Sequence, residues 1–126
     1  TTYREFLRLF VTAFHEIGAK AILVSSVTRR TFDAQGKITS TLTPWAEATG
    51  AVALEMGVPF IDLHSTSIAL HNEMGPDASM GFNPKPDDRT HFNEIGARAV
   101  ADLIIRDLQT LSPELAQHLR QAPTGP

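Results

Sequence analysis

Apolar positions in the first part of the chain recur at helical spacing and then close up. Phe6, Leu7, Phe10, Phe14 and Ile17 follow an i, i+3, i+4 rhythm, which predicts a helix with one apolar face. Ahead of them Thr2-Tyr3-Arg4-Glu5 has the capping-box pattern, with Thr2 as N-cap and Glu5 reaching back to it, and Gly18 is a natural stop. His15 within this helix reads as a solvated side chain. Lys20-Ala21-Ile22-Leu23-Val24-Ser25 then holds a short unbroken apolar run. That is the pattern of a parallel strand buried on both faces, since a half-exposed strand would alternate.

The helical rhythm returns after Thr43-Pro44, a cap followed by a proline at the first helical position. Trp45, Ala48, Val52 and Met56 line one face and Gly57 ends the helix. Gly50 inside it either costs stability or permits close packing on a sheet. Val58-Pro59-Phe60-Ile61-Asp62-Leu63 is the second strand. Strand, helix, strand in this order predicts a right-handed βαβ unit with parallel pairing. The long connection from Ser26 to Thr43 has no clear periodicity, and connections of that kind are usually functional walls or lids.

Beyond the second strand, His64, Ser65 and Thr66 begin a short helix that runs to Met74. Gly75 to Pro86 reads as irregular loop, in which Met80 and Phe82 either pack the loop down or wall a substrate pocket. Ala97, Val100, Leu103, Ile104, Leu108 and Leu111 trace a strong helical stripe. Ser112-Pro113 starts a last short helix to about Arg120, and residues 121–126 are a tail. Two parallel strands with these helices leave a sheet with uncovered edges and faces, so sheet partners are expected outside this chain.

Composition narrows the class without naming a function. The 126 residues are 42% hydrophobic and 20% charged, which is globular rather than disordered. A net charge of -3 with eleven scattered Lys and Arg argues against nucleic acid as a partner. No apolar run approaches the ~18 residues of a membrane span. The absence of cysteine removes disulfide and thiolate chemistry and leaves the compartment, secreted or cytoplasmic, undetermined. Thr1-Thr2 runs straight into a helix without an initiator Met or a signal-like segment. An internal start after processing is one expectation, and a removed Met is the other.

The candidate chemistry sits at Asp88 and His91. An acid and a histidine at i and i+3 come within one turn of each other, so the carboxylate can fix the imidazole tautomer and leave the other nitrogen basic. The bland alternative is a helix cap and a histidine packed at the turn. What favours proton transfer is the setting, a Gly/Pro loop followed by an amphipathic helix after a βαβ unit. The nearby helix N-terminus would also help to keep the base neutral. Arg29 and Arg30 fall past the carboxyl end of the first strand, where open parallel sheets bind ligands, and are either candidates for an acidic substrate or ordinary solvated charges on a loop. Phe82 is a candidate wall residue. A metal site from His64, His71, Asp88 and His91 is the rival use, but none of the spacings matches a recognised zinc pattern. No nucleophile motif is present, neither G-x-S-x-G nor Gly-Asp-Ser.

The run Asp88-Arg89-Thr90-His91-Phe92-Asn93-Glu94-Ile95-Gly96-Ala97 resembles the last sequence block of the SGNH (GDSL-type) hydrolases, in their rhamnogalacturonan acetylesterase-like branch. The likeness extends to the Tyr3 helix, to Ala21-Ile22-Leu23-Val24 with Val27-Thr28-Arg29-Arg30-Thr31-Phe32, and to Gly57-Val58-Pro59-Phe60-Ile61-Asp62-Leu63-His64. The resemblance implies an α/β fold, part of a flavodoxin-like three-layer α/β/α sandwich with a parallel sheet. Residues 1–120 would be the carboxyl-terminal part of one such domain, carrying its last two strands. It implies a serine esterase that removes acetyl groups from plant cell-wall polysaccharide, with His91 as general base, Asp88 as its orienting acid, and no cofactor or metal. The family's Gly-Asp-Ser block and its Gly and Asn oxyanion donors have no counterpart here. Ser25, Ser26, Ser65 and Ser67 lie outside any such motif. The expected partners are therefore an amino-terminal fragment of the same enzyme and an acetylated carbohydrate. The other class of function left open is a non-catalytic module that pairs through its open sheet edge.

Overall fold

The computed structural model describes residues 2–119. Helix α1 (Tyr3–Glu16) begins with the full reciprocal capping box between Thr2 and Glu5. Strands β1 (Leu23–Val24) and β2 (Phe60–Ile61) pair in parallel with Leu23 opposite Phe60 and Val24 opposite Ile61. Helix α2 (Thr43–Met56) connects them and packs against both strands and α1. Helix α3 (Leu63–Met80) follows β2 directly, α4 (Glu94–Leu111) packs on α3 and β2, and α5 (Pro113–Ala116) closes the described chain. The predicted tail lies outside the described residues.

The βαβ unit and its parallel register agree with the pattern of the sequence. Several details differ. β1 is shorter than the apolar run, and Val24 is 40% exposed rather than buried, because the sheet has only two strands among the described residues. Helix α2 is capped at Leu42 without a side-chain bond, and Thr43 is its first residue. Its buried face is Ala46, Thr49, Val52 and Ala53 rather than the row through Trp45, which is half exposed. Gly50 explains the rotation. A Cβ there would stand 3.2 Å from the Phe60 ring, so the helix lies against the strand at the one position with no side chain.

Residues predicted as loop after Met74 are partly helical. Gly75 adopts φ 78°, a left-handed conformation that suits glycine, and Pro76 restarts the helix through to Met80. The last helix ends at Ala116, sooner than the sequence suggests.

The core is small. Val11, Val52, Ala53, Ile61, Leu63 and Phe82 are its main apolar members, and a comparable set of polar groups is buried with them. Ser25 shows how these are satisfied. Its hydroxyl accepts from the His64 backbone N–H (2.9 Å) and donates to Asp62 (3.2 Å), whose carboxylate also caps α3 at Ser65 (3.1 Å). These bonds fasten the carboxyl end of β1 to the start of α3. By contrast the apolar face of α1 is uncovered: Phe6, Phe10, Phe14 and Ile17 are all at least half exposed. Exposed apolar area of that extent normally marks a contact surface.

Candidate active site

The site is built on the short chain between α3 and α4. Asn93 is the N-cap of α4, accepting from Gly96 N–H at 3.0 Å, and its amide nitrogen donates to the carbonyls of Gly81 (2.8 Å) and Asn83 (3.2 Å). One side chain thus ends the loop and starts the helix. Gly96 lets the first turn of α4 sit on two aromatic rings, since a Cβ there would fall 2.7 Å from Phe82 and 2.8 Å from Phe92. Residues 88–91 are thereby set as a tight bend just ahead of the helix, two residues before its cap.

Within that bend the Asp88 carboxylate collects three donors. The backbone N–H groups of His91 (2.9 Å) and Thr90 (3.1 Å) donate to Oδ1, and the His91 ring donates from Nδ1 to Oδ2 at 3.0 Å. A carboxylate in this role can only accept, so Nδ1 carries the ring proton and Nε2 is the free basic atom. The bond from the His91 backbone, followed by that from its ring, holds the Asp88 carboxyl down at about 2, so it is ionised at neutral pH. The Asp88 side chain is 15% exposed and that of His91 is 79% exposed. His91 Nε2 makes no hydrogen bond to the described residues. An oriented imidazole with its base facing outward beside a fixed carboxylate is the geometry that proton transfer to and from a nucleophile requires. A hollow of about 520 Å³ opens beside it, lined by Lys85, Pro86, Arg89 and His91 among others.

The remaining predicted site residues separate. Arg29 is exposed on the loop after β1. Arg30 is fully buried, which corrects its reading as a substrate contact. Its Nε donates to Asn83 Oδ1 (2.7 Å), its Nη2 donates to the carbonyls of Asp88 (3.1 Å) and His91, and its guanidinium lies over the Phe92 ring at 4.2 Å. Burial lowers its pKa and Asp88 opposes that. Phe82 is likewise buried, which corrects its reading as a substrate contact, because it packs edge-on to His71 with ring centroids 5.6 Å apart and lies under Gly96.

The four side chains of the rival metal site do not converge. His64 is tied to the Ser26 carbonyl (3.1 Å) and Thr43 (3.3 Å), and His71 to Ser79 (2.9 Å), while Asp88 and His91 engage each other. No group of three metal-type ligands occurs among the described residues. No described helix is long and apolar enough to cross a membrane. Sequence reading missed Asn83 and Asn93, whose roles as spacers and caps depend on carbonyls brought in by the loop. An Asn three residues before Gly96 was the available signal for the cap.

His71 carries a pH prediction. Burial first, and then the Arg30 charge, push its pKa down to about 4, whereas it titrates near ~6.5 when unfolded. The unfolded chain binds the extra proton between those values, so its contribution to stability is complete above about 6.5 and is lost as pH falls toward 4. Unfolding free energies from urea titrations across that window should fall by up to about 1.4 kcal/mol for each unit that the pH is lowered, and His71→Asn should flatten that slope. A slope identical in parent and variant would contradict the assignment.

Comparison with known proteins agrees with the fold. No protein-family model matches the chain. It is 38% identical over 131 aligned positions to rhamnogalacturonan acetylesterase RhgT of Bacillus subtilis, covering 94% of this chain and 56% of that protein. It is 28% identical to the probable rhamnogalacturonan acetylesterase YesY of the same organism, again over 94% of this chain and 56% of the relative. Among solved structures, that of B. subtilis protein YxiM superposes with a TM-score of 0.77 at 29% identity, covering 85% of this chain and 30% of that one. The chain therefore spans about half the length of the curated relatives it matches. It is a sequence relative of the rhamnogalacturonan acetylesterases with an α/β fold, consistent with the carboxyl-terminal half of an SGNH hydrolase of that branch.

Proposed function

We propose that this chain supplies the acid and base of a carbohydrate acetylesterase, whose serine nucleophile and oxyanion donors lie outside these 126 residues. The observation that carries the reading is the Asp88–His91 pair: a tautomer-fixed imidazole, solvent-facing, on an ionised carboxylate. The serine attacks the acetyl carbonyl while His91 Nε2 takes its proton. The same nitrogen returns that proton to the departing sugar oxygen, leaving an acetyl-enzyme and a free hydroxyl. Water, deprotonated by His91, then attacks the acetyl-enzyme, and acetate leaves as the serine regains its proton. Asp88 stabilises the imidazolium at each stage.

The substrate class follows from the relatives, whose names specify acetyl groups on rhamnogalacturonan, a polymer containing acidic sugars. Arg29, Lys85 and Arg89 are the exposed cations placed to meet such acids, the last two in the hollow beside His91. The uncovered apolar face of α1 and the free edges of the two-stranded sheet support docking of the remainder of the enzyme on this side. The same surface supports a second reading, an interaction module without catalysis.

A fluorophosphonate that phosphonylates activated serines separates these readings. With the complete enzyme, peptide mapping should place the label on a serine outside residues 1–126, and prior removal of His91 should abolish labelling. A label on Ser25, Ser26, Ser65 or Ser67 would contradict the proposal. No label, with no ester hydrolysis, would favour the interaction module.

A further inference from the structure

A guanidinium remains charged throughout the range in which proteins fold, so burying one without a carboxylate partner is costly and calls for a physical reason. Among the described residues Arg30 is such a group. It is fully buried, and its side-chain acceptors are three neutral oxygens, with the Phe92 ring below its face. The pattern of those acceptors is specific. Nη2 bridges the carbonyls of Asp88 and His91, the first and last residues of the bend, and the Arg30 backbone N–H donates to the carbonyl of Arg89 between them (3.0 Å). Asn83 holds the other end of the fork through Nε, and its own amide nitrogen donates to the Pro86 carbonyl at 3.3 Å.

The pair above this fork has little else to orient it. His91 is largely in solvent, and among the described residues its side chain bonds to Asp88 alone. A side chain without packing keeps a productive aim only if its backbone is fixed, and catalytic groups must hold their geometry to within about half an ångström. We propose that Arg30 is a positioning residue for the Asp88–His91 pair, clamping the backbone of the bend from beneath so that the imidazole stays on its carboxylate and Nε2 stays outward. The cost of burying the charge is offset at the one place where backbone rigidity governs the chemistry. This inference rests on the acetylesterase reading above.

The test uses the complete enzyme with Arg30→Lys and Arg30→Met, and His91→Ala as reference. Steady-state hydrolysis of p-nitrophenyl acetate gives kcat and KM. Proton NMR follows the downfield Nδ1–H resonance of His91, and circular dichroism reports the fold. In folded variants kcat should fall about 100-fold with KM little changed, the scale expected for an ångström of misplacement, and the downfield resonance should weaken or vanish. A purely structural role would lower the melting temperature and leave both kcat and the resonance of the folded protein intact. That result, or loss of the fold in both variants, would overturn the proposal. If His91→Ala keeps its activity, the acetylesterase reading itself fails; if it is inactive while a folded Arg30→Lys is fully active, only the clamp fails.

Discussion

Replacing His91 with alanine should lower ester hydrolysis by about 10⁴-fold or more, the scale seen when a triad loses its base. The fold should not notice. The side chain is 79% exposed and its partner is one carboxylate, so stability should stay within about 0.5 kcal/mol of the parent. The residual rate would come from the oxyanion donors and substrate binding, which the substitution leaves in place. Measured as kcat/KM on an acetyl ester with a melting curve alongside, a loss below tenfold in a folded protein would contradict a base at this position.

Asp88→Asn should cost nearly as much for a different reason. The amide oxygen can still accept from the backbone of Thr90 and His91, so the bend should persist. The amide nitrogen would then face His91 Nδ1 where a carboxylate oxygen stood. Two donors cannot share that contact, and the ring must move its proton to Nε2, which leaves the outward nitrogen unable to accept. A fall of about 10⁴-fold in kcat with KM nearly constant is expected, as for the equivalent acid-to-amide change in other triads. A variant that kept most of its activity would mean that Asp88 is only a turn residue.

These two residues were legible in the sequence because their relation is local. The i, i+3 spacing fixes what the side chains can reach, as it does for the Thr2–Glu5 capping box, and both appear as expected. The βαβ order and its parallel pairing were legible for a similar reason, since the connection rules leave few alternatives. Arg30 was not. Its acceptors lie 53 to 61 residues further along, and nothing in Arg29-Arg30 tells which guanidinium turns inward. Phe82 was ambiguous between wall and core until the missing side chain of Gly96 made room above it. Helix α2 kept its carboxyl end but neither its cap nor its full face, because the contact of Gly50 with Phe60, rather than the apolar count, sets its rotation. Amphipathicity gave α1 an apolar face, and no periodicity can say what covers it.

Deacetylation of a carbohydrate by the Asp88–His91 pair has a direct chemical readout. Acetate released from acetylated rhamnogalacturonan by the complete enzyme tests it most directly, with the same polymer after saponification as the blank. Steady acetate release is expected from the first, none from the second, and loss of release in the His91→Ala enzyme. Acetate release that survives that substitution, or a folded complete enzyme that frees none from this or any other acetyl ester, would contradict it.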